Sequence, residues 1–144
     1  MGAGFAAGCR DSARMEEASA RRAAAPPGAE ALRGAGERGI YTFELSLDPD
    51  RPALGELFQI VTAVRDARTG APVEGAELVL DATMPQHDHG MTTSPRHREL
   101  GGGRYLSEGM KLHMPGAWVF DVRARKDRED RARVPFDARP SAPR

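Results

Sequence analysis

The fold class is decided by residues 40–47, which read IYTFELSL. The odd-numbered positions from 41 to 47 all carry large apolar side chains, namely Tyr41, Phe43, Leu45 and Leu47. Side chains at alternate positions of a β-strand point to the same side, so this period of two predicts a strand with one face in a hydrophobic core. The turn-forming residues 48–52 (DPDRP) end the strand.

Similar alternation recurs along the rest of the chain, separated by turn signals. We predict further strands at 57–64, 76–80, 104–114 and 118–122, with a short last strand at 134–136. No stretch after residue 39 has a helical period of 3.6. Several short strands with turns between them predict an all-β protein, an immunoglobulin-like antiparallel β-sandwich of about seven strands.

The chain of 144 residues divides into a domain and two tails. The alternating pattern places the folded domain at 39–138, and 139–144 forms a Pro- and Arg-rich tail. Residues 1–38 lack a core pattern. Within them, 12–25 is rich in Ala, Arg and Glu but has no apolar stripe, so we expect a disordered or frayed-helical tail followed by a flexible linker.

The only cysteine, Cys9, follows residues 6–8 (AAG), and this run is similar to the lipobox that ends a bacterial lipoprotein signal. One interpretation is a lipid anchor at Cys9, preceded by a signal peptide that is incomplete in this sequence. The other is a free cysteine in a flexible terminus. No apolar run reaches the ~20 residues needed to span a bilayer, so any membrane attachment would be through such an anchor.

Charge and motifs exclude several classes of function. The 21 basic and 21 acidic residues balance, which disfavours a nucleic-acid-binding protein. The mixed charges of residues 123–133 are typical of a solvated hairpin edge. There is no nucleophile–base arrangement, no phosphate-binding loop and no evident carboxylate pair, so we do not expect an enzyme.

The chemically richest stretch is 84–91, which reads MPQHDHGM. It holds two of the four histidines and two of the six methionines. His87 and His89 lie two positions apart and would point to the same side of an extended segment. Met84 and Met91 could fold back onto them if Pro85 and Gly90 bend the loop.

This set of donors suits copper. Thioethers and imidazoles favour Cu(I), Cu(II) is possible, and zinc fits less well. Met84 has a second interpretation as a core side chain at the end of its strand, and a His-x-His segment can also be a solvated turn.

Later residues could complete such a site. By alternation, His113 faces away from Met110, Leu112 and Met114, which are expected in the core, so His113 is the better candidate ligand. His97 lies between two arginines that would repel a cation, and it is left out of the site. Trp118 is expected to fill the space between the sheets, with stacking on a ligand or shielding of a metal as the alternative.

Two motifs carry a family resemblance: the loop at 84–91 and the turn at 114–118 (MPGAW). With residues 103–105 (GRY) between them, the segment 40–136 resembles the YtkA-like domain, which is related to the FixH family. The resemblance implies an immunoglobulin-like domain outside the cytoplasm, often tethered to a membrane. It also implies an association with copper handling and with assembly of respiratory oxidases.

Together these observations predict a periplasmic or cell-envelope protein that buffers copper or passes it to a membrane or periplasmic copper-handling partner. The expected metal ligands are His87, His89, Met84, Met91 and His113. The alternative is a metal-free interaction module in the assembly of envelope proteins.

Overall fold

The computed structural model describes residues 31–139, which form nine strands in two antiparallel sheets. The strands are β1 (Leu32–Ala35), β2 (Tyr41–Asp48), β3 (Leu57–Asp66), β4 (Glu77–Met84), β5 (His89–Gly90), β6 (Arg96–Gly101), β7 (Arg104–Lys111), β8 (Gly116–Arg125) and β9 (Glu129–Ala138). One sheet has the order β1-β2-β3-β7-β6 and the other β5-β4-β8-β9. This is the all-β sandwich that the alternating pattern predicts.

The core between the sheets comes from the alternating positions. Its fully buried side chains include Trp118, Phe43, Phe120, Leu45, Ile60, Leu80, Met84 and Met110. The expectation that Met110 and Leu112 belong to the core is confirmed, since both are buried. Trp118 is 0 % exposed and fills the inter-sheet space as predicted.

On each side of the sandwich, where edges of the two sheets face each other, one polar side chain links them. On one side β1 lies beside β9, and the buried carboxylate of Asp130 accepts hydrogen bonds from the backbone N–H groups of Arg38 and Ile40 at 2.8 and 2.9 Å. On the other side β4 lies beside β6, where the N–H of Leu80 points to Nε2 of His97 at 3.4 Å.

Three expectations need correction. The first strand, β1, lies inside the segment 1–38 that was assigned to tail and linker, so the ordered sandwich begins before residue 39. The last strand, β9, has ten residues and is not the short strand that was predicted at 134–136. The charged run 123–133 is not uniformly solvated, because Asp130 is only 1 % exposed.

Other expectations fall on residues that the structure does not describe. Cys9 with its lipobox-like run, and the helical or disordered tail at 12–25, lie outside residues 31–139, as does nearly all of 139–144. Across 31–139 no helix has the length and apolar character needed to cross a membrane.

Candidate metal centre

The loop that leaves β4 forms a tight hairpin. Residues Pro85–His87 make one turn of 3₁₀ helix, with the proline at its first position, where the missing N–H costs nothing. Asp88 then takes the left-handed conformation at φ 52°, which Asp tolerates better than most residues. β5 pairs back onto the end of β4, placing His89 opposite Met84.

Two details of this loop differ from the prediction. The left-handed bend lies at Asp88 and not at Gly90, whose φ is not positive. His87 stands on a 3₁₀ turn rather than on an extended segment. The imidazoles of His87 and His89 nevertheless lie side by side, with ring centroids 5.8 Å apart and planes inclined by 24°.

A third imidazole comes from the connection that crosses between the sheets. His113 follows β7 and precedes β8, and its ring centroid lies 5.4 Å from that of His89. Two imidazoles that share one metal at nitrogen–metal distances of about 2 Å have centroids about 5 Å apart. The spacing of His89 and His113 is therefore compatible with a shared ion.

Trp118 forms the wall behind this pair. Its indole lies 6.4 Å from His89 and 5.5 Å from His113, measured between ring centroids. Its Nε1–H donates to the carbonyl of Met114 at 2.9 Å, which fixes both the indole and the turn that follows His113. The ring fills the core, as predicted, and also borders His89 and His113, while the shielding of a metal by Trp118 stays a prediction.

Two ring nitrogens in this group lack partners. Nδ1 of His89 and Nδ1 of His113 are inaccessible to solvent and have no hydrogen-bond partner among residues 31–139. Buried polar atoms in folded proteins are almost always hydrogen-bonded, so an unpaired one indicates either a cost to stability or a missing ligand. Nitrogens of this kind on two neighbouring rings are candidate metal donors.

The thioethers divide into two kinds. Met84 is 1 % exposed and belongs to the core, and its methyl group lies where a Cβ on Gly116 would meet it. Met91 and Met114 are half-buried and pack at the margin of the same core. The interpretation of Met84 as a core side chain therefore has direct structural support, while its role as a ligand stays a prediction.

As the side chains stand, no three His, Cys, Asp or Glu residues within 31–139 form a group that could hold a metal ion. The remaining candidate donors on this loop and on the turn after His113 are the imidazole of His87 and the thioethers of Met91 and Met114. The exposed His87 side chain stacks beside His89. A bound ion would use His89 and His113 with sulfur, or with a rotated His87.

The sequence model of the YtkA-like family matches residues 37–123. The chain belongs to the YtkA-like family. No curated protein and no solved structure matches it significantly. The match contains the whole histidine group and Trp118, whereas β1 and β9 lie outside it and complete the two sheets of this YtkA-like protein.

A pocket of about 430 Å³ opens beside the metal-centre loop of this YtkA-like domain. Pro85, Asp88 and His89 line one side, and Val119, Asp121 and Arg133 of the neighbouring strands line the other. Arg131 binds Asp121 at 3.0 Å, so this carboxylate is paired, whereas Asp88 at the same pocket forms no ion pair among residues 31–139. The pocket gives another molecule access to the loop that holds His89.

Sequence reasoning left His97 out of the predicted metal site and gave it no role. Because the Leu80 N–H donates to Nε2, the neutral ring carries its proton on Nδ1, which lies 2.9 Å from Oγ of the buried Ser107. His97 therefore connects β4, β6 and β7. Alternation alone could not reveal this role, because it depends on which edges of the two sheets face each other.

Acidification should destabilise this YtkA-like domain through His97. Burial lowers the pKa of His97 below the usual 6.5, and the nearby carboxylate of Asp81 only partly opposes this. Just below pH 6.5, His97 is therefore protonated in the unfolded chain but remains neutral in the folded protein. The contribution of neutral His97 to the free energy of unfolding should therefore be fully present above that pH. It should be lost as the pH falls towards the lower pKa of the folded state.

Urea unfolding of the wild type and of His97→Gln at about pH 7.5 and about pH 5.5 measures this effect. Glutamine does not titrate, and its amide carries both an acceptor for the Leu80 N–H and a donor for the Ser107 hydroxyl. We expect the variant to lose part of the pH dependence. Equal pH dependence in both proteins would contradict the assignment.

Proposed function

We propose that this protein binds copper in the cell envelope and buffers it or passes it on, in metal homeostasis or in oxidase assembly. The observation that carries the proposal is the pair of unpaired, buried Nδ1 atoms on His89 and His113, whose rings lie 5.4 Å apart. Imidazole and thioether donors together suit Cu(I), and imidazoles alone can serve Cu(II).

The donors differ in accessibility, and this difference supports transfer rather than permanent storage. His87 is exposed, His89 and His113 are half-buried, and Met91 and Met114 lie at the margin of the core. An exposed imidazole can take an ion from a partner and hand it to the inner pair one ligand at a time. The pocket beside Pro85 and Asp88 offers room for the partner's own ligand.

The envelope location rests on residue chemistry and on the family resemblance. Thioether ligands cannot be lost to disulfide formation, which favours them over thiolates in an oxidising compartment. A lipid anchor at Cys9 would hold the domain at a membrane surface. Such a location would bring the site within reach of a membrane or periplasmic copper-handling protein.

The test is an anaerobic titration of the full chain with Cu(I) against a competing chromophoric chelator, repeated with Cu(II) alone. We expect one Cu(I) per chain with a Kd tighter than about 1 μM. The double variant His89→Ala with His113→Ala should bind at least about 100-fold more weakly, because the ion loses both inner ligands.

Matched methionine variants provide the control. Met91→Leu removes a thioether beside the loop, whereas Met110→Leu removes one that is fully buried within the core. We expect only Met91→Leu to weaken binding. The proposal is wrong if the wild type binds no copper, or if the double histidine variant binds as tightly as the wild type. Partner capture that survives a chelator would then favour the metal-free interaction module.

A further inference from the structure

The rings of Trp118, His89 and His113 form a triangle with sides of 5.4, 5.5 and 6.4 Å between centroids. Both imidazole planes are steeply inclined to the indole plane, at 71° and 77°. Both unpaired nitrogens belong to rings of this triangle. An ion held inside it would lie within the ~6 Å over which an aromatic ring attracts a cation.

This triangle contains no acidic side chain, and the carboxylate of the adjacent Asp88 is exposed to solvent. Trp118 is neutral, and its only polar hydrogen is already donated to the carbonyl of Met114. Within residues 31–139 no carboxylate or thiolate lies close enough to a pair of histidines to serve as a third metal ligand. The carboxylate of Asp121 lies in the outer pocket and is paired with Arg131 and Arg133.

Charge decides which ions tolerate such surroundings. The free energy of removing an ion from water rises with the square of its charge. In a neutral, partly buried site the desolvation cost of a divalent ion is therefore about four times that of a monovalent ion of the same size. Two neutral imidazoles supply only half of the four ligands that Zn(II) usually takes, and they supply no negative charge to offset a divalent ion. A soft monovalent ion gains from thioethers and from an aromatic ring at a much smaller penalty.

We propose that Trp118 is a specificity-determining residue whose indole contacts the bound ion and restricts the site to soft monovalent cations. This inference rests on the proposed copper-binding function and adds the oxidation state and the residue that selects it. In this role Trp118 acts on the ion itself, in addition to its packing role in the core.

The wild-type protein itself provides the first test, because Trp118 is the only tryptophan of the chain. Ag(I), an air-stable analogue of Cu(I), and Zn(II) are titrated into the full chain while indole absorption and fluorescence are recorded. We expect one equivalent of Ag(I) to shift the indole absorption and quench its emission. Zn(II) should leave both unchanged.

The variants Trp118→Phe and Trp118→Leu provide the second test. Phenylalanine keeps an aromatic face, whereas leucine keeps only apolar volume. We expect the ratio of Ag(I) to Zn(II) affinity to fall about tenfold in the leucine variant and less in the phenylalanine variant. Thermal unfolding establishes whether each variant folds. If a variant does not fold, the optical titration of the wild-type protein still tests the role of Trp118.

The outcomes separate this inference from the proposed function. If Ag(I) binds, as shown by mass spectrometry and by shifts of the histidine NMR signals, while the indole spectrum stays constant, the role of Trp118 is overturned and copper binding stands. If neither Ag(I) nor Cu(I) binds, the proposed function fails and the inference fails with it.

Discussion

Replacing Asp130 with alanine should lower the free energy of unfolding by about 4 kcal/mol, a large part of the total stability of a domain of this size. The carboxylate is 1 % exposed and accepts four backbone N–H groups. They belong to Arg38, Ile40, Tyr41 and Arg131, at 2.8, 2.9, 3.2 and 2.9 Å. Alanine would leave all four donors without this acceptor.

The charge of Asp130 is part of the effect. Burial acts to raise the pKa of this carboxyl, but the backbone hydrogen bonds from Arg38, Ile40, Tyr41 and Arg131 outweigh it and hold the pKa below 3.8. The group is therefore ionised at neutral pH, and hydrogen bonds to a charged acceptor are the stronger kind. Together they join residues 38–41 to β9 and close that side of the sandwich.

Two variants serve as controls in urea unfolding. Asp130→Asn keeps the shape but turns an amide donor towards backbone donors, so we expect an intermediate loss. Asp127→Ala, at an exposed position of the same hairpin, should change stability by less than about 0.5 kcal/mol. An Asp130→Ala protein within about 1 kcal/mol of the wild type would refute the role given to this carboxylate.

The alternating strands of the fold could be predicted from the sequence, whereas the edge strands β1, β5 and β6 could not. β2, β3, β4, β7 and β8 follow the period of two because each has a face in the core. β1 and β6 lie at the edges of their sheet and lack that pattern. β1 also requires Gly34, where a Cβ would approach the side chain of Val134 to 2.8 Å.

The residues of the candidate site could be predicted from the sequence, but their positions relative to one another could not. The clustering of donors at 84–91 identified the loop, and alternation favoured His113 over Met114 as the later candidate. Their approach depends on the crossing from β7 to β8, which brings His113 to 5.4 Å from His89. The unpaired nitrogens and the indole wall follow from packing across the two sheets, which local sequence does not encode.

Gly103→Ala should destabilise the protein by about 3 kcal/mol, the second large effect that we expect. Gly103 lies in the turn between β6 and β7 at φ +79°, a conformation that costs an alanine about 1–2 kcal/mol. A Cβ there would also come within 2.7 Å of Cβ of Pro72 and 2.9 Å of the carbonyl oxygen of Val64. Those neighbours cannot move away freely, because Val64 donates its own N–H to the Gly103 carbonyl at 2.8 Å.

Gly102→Ala separates the two causes of this loss. Gly102 has a similar φ of +65°, but a Cβ there would meet nothing within 4 Å. Its variant should therefore lose only the conformational part, about 1 kcal/mol, in the same urea experiment. If both variants lost the same amount, the contact of Gly103 with β3 and Pro72 would carry no energy. A larger loss at Gly103 would show that this contact, which fixes the start of β7, explains the glycine in the GRY motif.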